Sequence, residues 1–173
     1  TRRAGRLRMV HFCQQCGSVT DRREIGGRER EVCQRCGTVY YPQWKVSAGV
    51  RVVENGSLLL VQRGIDPWRG SWHMPAGYVE VDEEPRAAAE REALEETGLV
   101  VRAGRLVDCY ADTSDPRGKV LILLYEASIL DGALSPSAET PSVRFFSRDE
   151  IAGLPLAGMS ARLEIEDWLN TEK

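Results

Sequence analysis

Three glutamates between Gly77 and Leu99 constrain this chain more than any other feature. Glu92, Glu95 and Glu96 stand at i, i+3 and i+4, so in a helix their side chains share one face. Like charges at that spacing repel, at about 0.2–0.5 kcal/mol per pair. A helix shaped by stability alone would set lysine or arginine against them. Three acids on one face, with Glu83 just ahead, instead suit a hard divalent cation that takes oxygen ligands. The bland alternative is an acidic, solvated helix that binds nothing. The flanks also fit a helix. Pro85 suits its first position, where the missing N–H costs nothing, and Gly98 suits the left-handed residue that ends it. Ala87, Ala88, Ala89 and Ala93 are small enough to let the helix lie close to a sheet. Gly77 lets the backbone approach a ligand before the helix begins.

A second constraint precedes this one. Cys13-x2-Cys16 and Cys33-x2-Cys36 are separated by sixteen residues, the spacing of a four-cysteine zinc site. Two disulfides are the alternative, which fits secreted chains better than this one. The segment between the pairs carries a Gly26-Gly27 turn, and two short strands flanking it would make a zinc ribbon over residues 9–41. Such a module is too small for a core of its own and depends on its metal. His11 reads as a surface residue, because four cysteines already close the site. The fifth cysteine, Cys109, lies in an apolar run and reads as a buried, inert thiol.

Composition excludes several classes. With 173 residues, 42% hydrophobic and 28% charged, the chain suits one ordinary domain with a small attachment. It has no apolar run near the roughly 20 residues of a membrane span, and no signal segment is visible. These features point to the cytoplasm. A formal net charge of −3 argues against nucleic acid as the main partner, although a metal and a few arginines still permit phosphate binding. Residues 1–8, TRRAGRLR, read as a basic tail.

Further along, Val46–Glu54 and Leu58–Arg63 read as strands around an Asn55-Gly56 hairpin turn. Residues 65–72, with two tryptophans and an arginine, form a loop. Val100–Ala111 and Lys119–Leu130 read as strands joined by the polar segment DTSDPRG, followed by a loop over 131–141 and a short strand over Val143–Phe146. Arg148–Ala152 starts a helical turn. A last amphipathic helix over Gly158–Leu169 offers Leu163, Ile165, Trp168 and Leu169 for packing.

The glutamate stretch resembles the box of the Nudix family: Gly, five residues, Glu, seven residues, Arg-Glu, an apolar residue, any residue, Glu-Glu, any residue, Gly, apolar. Gly77, Glu83, Arg91, Glu92, Glu95, Glu96 and Gly98 match it, with Leu99 in the last apolar place. Ala93 fills the middle apolar place, a small departure. At ordinary residue frequencies, seven fixed matches arise by chance on the order of 10⁻⁸ per start site. The resemblance covers residues 45–173 and implies an α/β fold, a mixed sheet sandwiched between helices. A zinc ribbon ahead of it, and the linking run CGTVYYPQWKVSAGV, further resemble the branch that hydrolyses NADH, FAD and ADP-ribose.

The resemblance implies a pyrophosphohydrolase that releases AMP from a small nucleotide. Mg²⁺ or Mn²⁺ would be held by Glu92, Glu95, Glu96 and the backbone carbonyl near Gly77, while structural Zn²⁺ would be held by Cys13, Cys16, Cys33 and Cys36. Arg91 would orient the glutamates and Glu83 would support them from outside. Glu139 lies where family members often carry a further acid, a ligand or a base; it reads equally well as a solvated loop residue. Arg63 would face a phosphate, and Trp68, Trp72 and Tyr78 are candidates for stacking on a base. The NADH-selective branch carries a Ser-Gln-Pro-Trp-like run after the box, whereas here the region reads DCYADTSDPRG. Its absence sets FAD and ADP-ribose ahead of NADH. The rival reading is a nucleic-acid-binding regulator whose Nudix-like domain senses a ligand, but a sensor has no need of intact box glutamates. A homodimer is common in the family.

Overall fold

The computed structural model describes residues 11–171, so the basic run at 1–8 lies outside the described residues. The chain divides into two compact units, one ending at Gln43 and one beginning at Trp44.

In the first unit, β1 (Thr20–Ile25) and β2 (Arg28–Cys33) pair antiparallel across the Gly26-Gly27 turn. A third strand, β3 (Val39–Tyr40), adds to β2 and makes a three-stranded sheet where two strands were expected. Almost no apolar side chain is buried here beyond Cys13, Val32 and Cys33. His11 is exposed, as expected, and ion-pairs with Glu31.

The second unit is built on a sheet that runs β10 (Ser142–Phe146), β5 (Ser57–Gln62), β4 (Lys45–Glu54), β9 (Val120–Gly132), β8 (Leu99–Asp112). The β4–β9 pair is parallel and its neighbours are antiparallel, so the sheet is mixed. The Asn55-Gly56 turn forms as expected, with Glu54 opposite Ser57. Two short strands escape the sequence reading: β6 (Trp72–His73) pairs with β5, and β7 (Ala76–Tyr78) pairs with β4. Met74 and Pro75 separate them, and a proline cannot donate to a ladder, so neither reads as a strand by pattern.

Successive strand residues point to opposite faces, and both faces are covered. Leu59 packs on one side with Val50, Val52 and the alanines of α1 (Pro85–Thr97). Leu58 and Leu60 pack on the other with Ile151 of α2 (Arg148–Ile151) and Ile165 and Trp168 of α3 (Gly158–Asn170). The result is the α/β/α sandwich. Ala88, Ala89 and Ala93 are fully buried, which sets α1 tightly against the sheet. The helix starts at Pro85 and is capped by Gly98, whose N–H donates to the Leu94 carbonyl at 2.9 Å.

Two expectations fail. Cys109 is exposed: along β8, Tyr110 and Asp112 turn inward, and strand alternation sends residue 109 outward. On α3 the buried stripe is Ala161, Glu164, Ile165 and Trp168, while Leu163 and Leu169 are exposed. Among the described residues no helix is long and apolar enough to cross a membrane.

Candidate active site and metal centres

A cavity of about 250 Å³ opens in the second unit. Its lining comes from β7 (Gly77, Tyr78), α1 (Glu92, Glu96), the β5–β6 connection (Arg63, Trp68), the end of β8 and its following loop (Asp112, Asp115, Arg117), Glu139, and α3 (Ser160, Glu164). These segments are distant in sequence, and the mixed sheet gathers them.

Arg91 organises the glutamate face. Its guanidinium donates to both Glu83 oxygens at 2.6 and 3.1 Å, to Glu92 at 2.7 Å, to Glu95 at 3.1 Å and to the Tyr78 carbonyl at 3.1 Å. Bidentate charge-assisted bonds of this kind are strong and directional. They hold Glu83 below the usual carboxylate range. The Glu92 carboxylate fills the space where a Cβ on Gly77 would stand, so any other residue there would displace it. Burial pushes Glu92 up despite Arg91.

Glu96 is more extreme. It is half-buried, accepts one bond from the Ala76 N–H at 3.0 Å, and is pushed up to about 8, chiefly by desolvation, with Glu92 adding repulsion. A carboxylate left this poorly compensated beside another acid has the chemistry of a cation ligand. Thr140 ties the Glu139 loop to α1 by donating to the Glu96 carbonyl at 2.7 Å, and the Gly64 N–H holds the Glu139 carbonyl at 2.7 Å. Arg63 anchors its loop through Nε to the Pro67 carbonyl at 2.6 Å. Burial lowers the Arg63 pKa, as does nearby Arg117, so two guanidiniums share the cavity with the acids.

The cysteine centre lies in the first unit. Sγ atoms of Cys13 and Cys36 are 3.6 Å apart and those of Cys16 and Cys33 are 3.5 Å apart, all four lying within 4.8 Å of one another. The thiols are free, and the separations suit the edges of a tetrahedron with metal–sulfur bonds of about 2.3 Å. Supporting donors are already in place. Tyr40 Oη donates to Cys13 at 3.0 Å and lowers that thiol to about 6, and the Arg35 and Cys36 N–H groups point at Cys33 Sγ, each at 3.4 Å.

A model of the NUDIX domain matches residues 43–169. The chain belongs to the Nudix family. An ADP-ribose pyrophosphatase of Methanocaldococcus jannaschii is 28% identical over 119 residues, 68% of this chain and 69% of that protein. An NAD-capped RNA hydrolase of Salmonella choleraesuis is 31% identical over 160 residues, 90% of this chain but only 59% of its own length. Among solved structures, a NUDIX hydrolase from Nitrosomonas europaea is 34% identical, with a TM-score of 0.74 over 91% of this chain and 87% of its own. Members of the family use divalent metals.

Within the Nudix unit, the fold brings together Gly77, Tyr78, Glu92, Glu96, Arg63, Trp68 and Glu139 around one cavity. Glu95 is more than half exposed and faces Arg91 rather than the cavity lining. Among the described residues, only the cysteines place three or more ligand atoms within 4.8 Å of one another, so the glutamates stand apart in this arrangement. Trp72 is not available for stacking. It is buried edge-on against Phe146 at 4.7 Å between centroids, held by backbone bonds to Pro155 and Ala157.

Four charged cavity residues escaped the sequence reading: Asp112, Asp115, Arg117 and Glu164. Burial pushes Asp112 up, but bonds from Ser114 and Ser160 outweigh it and hold it below the usual range. Asp115 is held down by Arg117 at 2.7 Å. A signal existed for two of them. Asp112 follows Tyr110 at the strand period of two, and Glu164 follows Ala161 on the helical stripe that ends at Trp168.

Proposed function

We propose that this protein hydrolyses the pyrophosphate of an adenine-containing, dinucleotide-like nucleotide, with ADP-ribose first, releasing AMP. The observation that carries this reading is the pairing, in one cavity, of a half-buried Glu92–Glu96 face with the guanidiniums of Arg63 and Arg117. Acids alone would repel a pyrophosphate, and arginines alone would bind it without activating water. The residues that would hold Mg²⁺ or Mn²⁺ are Glu92, Glu95, Glu96 and the backbone at Gly77. Bound there, a divalent ion neutralises phosphate charge and lowers the pKa of water.

The chain's own groups do the rest. Arg63 and Arg117 pair with phosphate oxygens and orient the substrate. Arg91 fixes Glu92 and Glu83 so that the acid face keeps its shape. A carboxylate, Glu139 or a box glutamate, accepts the proton from the attacking water. Trp68 and Tyr78 supply ring surfaces. In the other unit, Zn²⁺ held by the four cysteines serves structure, since a closed site leaves no position for water.

An NAD-like substrate is the second reading, because relatives that match across both units are named as NAD-capped RNA hydrolases. Product analysis in ¹⁸O-water with ADP-ribose, FAD, NADH and a nucleoside triphosphate, each with Mg²⁺, separates these readings. Fast release of AMP and ribose 5-phosphate from ADP-ribose is expected. A clear preference for the triphosphate overturns the substrate assignment.

A further inference from the structure

Glu164 is an acid on the wrong side of its helix. It sits on the buried stripe of α3 between Ala161 and Ile165, is only 3% exposed, and lines the cavity together with Ser160, one turn earlier. A carboxyl taken out of water needs a partner. Among the described residues no hydrogen bond offsets its desolvation, and the charge that acts on it is Asp112, which repels it. Asp112 has partners of its own: Ser114 N and Oγ at 2.6 and 2.7 Å and Ser160 N at 3.0 Å. The charges that act on Glu96, namely Glu92, Arg63 and Glu139, are not those that act on Glu164. Glu164 therefore stands apart from the glutamate face within the same cavity.

Two further features belong to the same cavity lining. The Trp68 ring edge packs on the start of α3: a Cβ at Gly158 would lie 3.0 Å from its Cζ2 and Cη2, and 3.0 Å from Asp112 Oδ2. Gly158 has φ of 77°, so the close contact and the left-handed backbone both require glycine there. In the same lining, His73 Nδ1 donates to the Met74 carbonyl at 2.8 Å, which leaves Nε2 as a buried acceptor with no partner.

We propose that Glu164 reads the Watson–Crick edge of the substrate's adenine, its O–H donating to N1 and its carbonyl oxygen accepting from the N6 amino group, with Trp68 beside the ring. This rests on the reading above that the substrate carries adenine. Burial and Asp112 push Glu164 up to about 8, so at neutral pH it carries the proton that this pairing needs. A protonated carboxyl offers one donor beside one acceptor, which matches adenine. The two adjacent donors of guanine, at N1 and N2, would instead be matched by an ionised carboxylate, which offers two acceptors.

The test compares ADP-ribose with its 1,N6-etheno analogue, in which both edge atoms are blocked, for wild type, Glu164→Leu and Glu164→Gln. Losing a bidentate base contact is worth about 10–100-fold. Wild type should prefer ADP-ribose over the etheno compound by that factor in kcat/KM. Glu164→Leu should bring the ratio near one, mainly by raising KM for ADP-ribose while etheno turnover holds. Glu164→Gln, whose amide also offers donor and acceptor, should keep most of the preference. A wild-type ratio near one overturns the proposal without need of any variant, as does a wild-type ratio retained in Glu164→Leu. In either case fast ADP-ribose turnover leaves the proposed function standing. Failure of wild type to hydrolyse ADP-ribose at all removes both.

Discussion

The cysteine cluster and the glutamate face are two candidate metal centres in one chain, and they are prepared in opposite ways. The four thiols already converge, with Sγ separations of 3.5 and 3.6 Å in two pairs and N–H and O–H donors aimed at them. The glutamates do not converge: Arg91 holds Glu83, Glu92 and Glu95, while Glu96 sits half-buried with one backbone donor. The difference follows from charge. Thiols can be neutral and packed, whereas neighbouring carboxylates repel one another and Arg91 offsets that repulsion. In the first unit a metal would make the fold, and in the second an apolar core makes it and a metal would supply chemistry.

That contrast predicts its largest effect at the cysteines. Structural zinc contributes about 10–16 kcal/mol in peptides of this size, and the ribbon has almost no apolar core to replace it. We expect one zinc per chain by metal analysis. Cys33→Ser, or chelation, should open residues 11–43 to proteolysis while the Nudix unit keeps at least part of its Mg²⁺-dependent turnover. Freshly purified, reduced protein that contains no zinc would break the comparison at its first term.

Glu96→Gln probes the other side. The substitution keeps side-chain size and removes a charge that burial disfavours. The Nudix unit should therefore keep or raise its Tm, yet turnover should fall by roughly 100-fold or more, the scale of losing a directly stabilising group. Loss of stability together with activity would mean that Glu96 holds the fold, and the contrast would collapse.

How far this could be read from the chain depends on the kind of signal. The box glutamates and the cysteine pairs announce themselves because their spacing is unfavourable for anything but a ligand. The sandwich was expected through the family resemblance, and the strand periods agree with it. What stayed hidden depends on tertiary neighbours. Trp72 looks like Trp68 in sequence, but only the β5–β6 pairing decides that one packs on Phe146 and the other lines the cavity. Leu163 looked like core, and nothing marked Glu164 as buried. The actual stripe on α3 is set by Ala161, Ile165 and Trp168, which rotates Glu164 inward. Cys109 was misread through its apolar surroundings, where strand alternation was the better guide.

A smaller effect is expected one layer out. Glu83 touches neither the cavity nor its base, but it receives two bonds from Arg91. Glu83→Gln loses the charge of that pair and loosens Arg91, which also holds Glu92. Changes at this remove typically cost about 10–100-fold, so the loss should be smaller than for Glu96→Gln and accompanied by weaker Mg²⁺ affinity in titrations. A loss equal to that of Glu96→Gln would place Glu83 among the ligands.

The smallest effect concerns stability alone and separates Glu164 from the metal question. In the unfolded chain its carboxyl titrates near 4.5, and in the folded protein burial raises it to about 8. Between those values the folded state holds a proton that the unfolded state has released. Stability therefore falls as pH rises through this window, and the contribution is fully present only below about 4.5. From pH 6 to pH 9 the folded protein must ionise a buried acid next to Asp112, at about 2–3 kcal/mol. Other groups titrate as well, so the informative quantity is the difference between wild type and Glu164→Leu in metal-free buffer. Wild type should lose about 5–10 °C more in Tm across that range than the variant. Equal slopes would mean that Glu164 is ionised and solvated in the folded protein, and the edge-reading role would lose its proton.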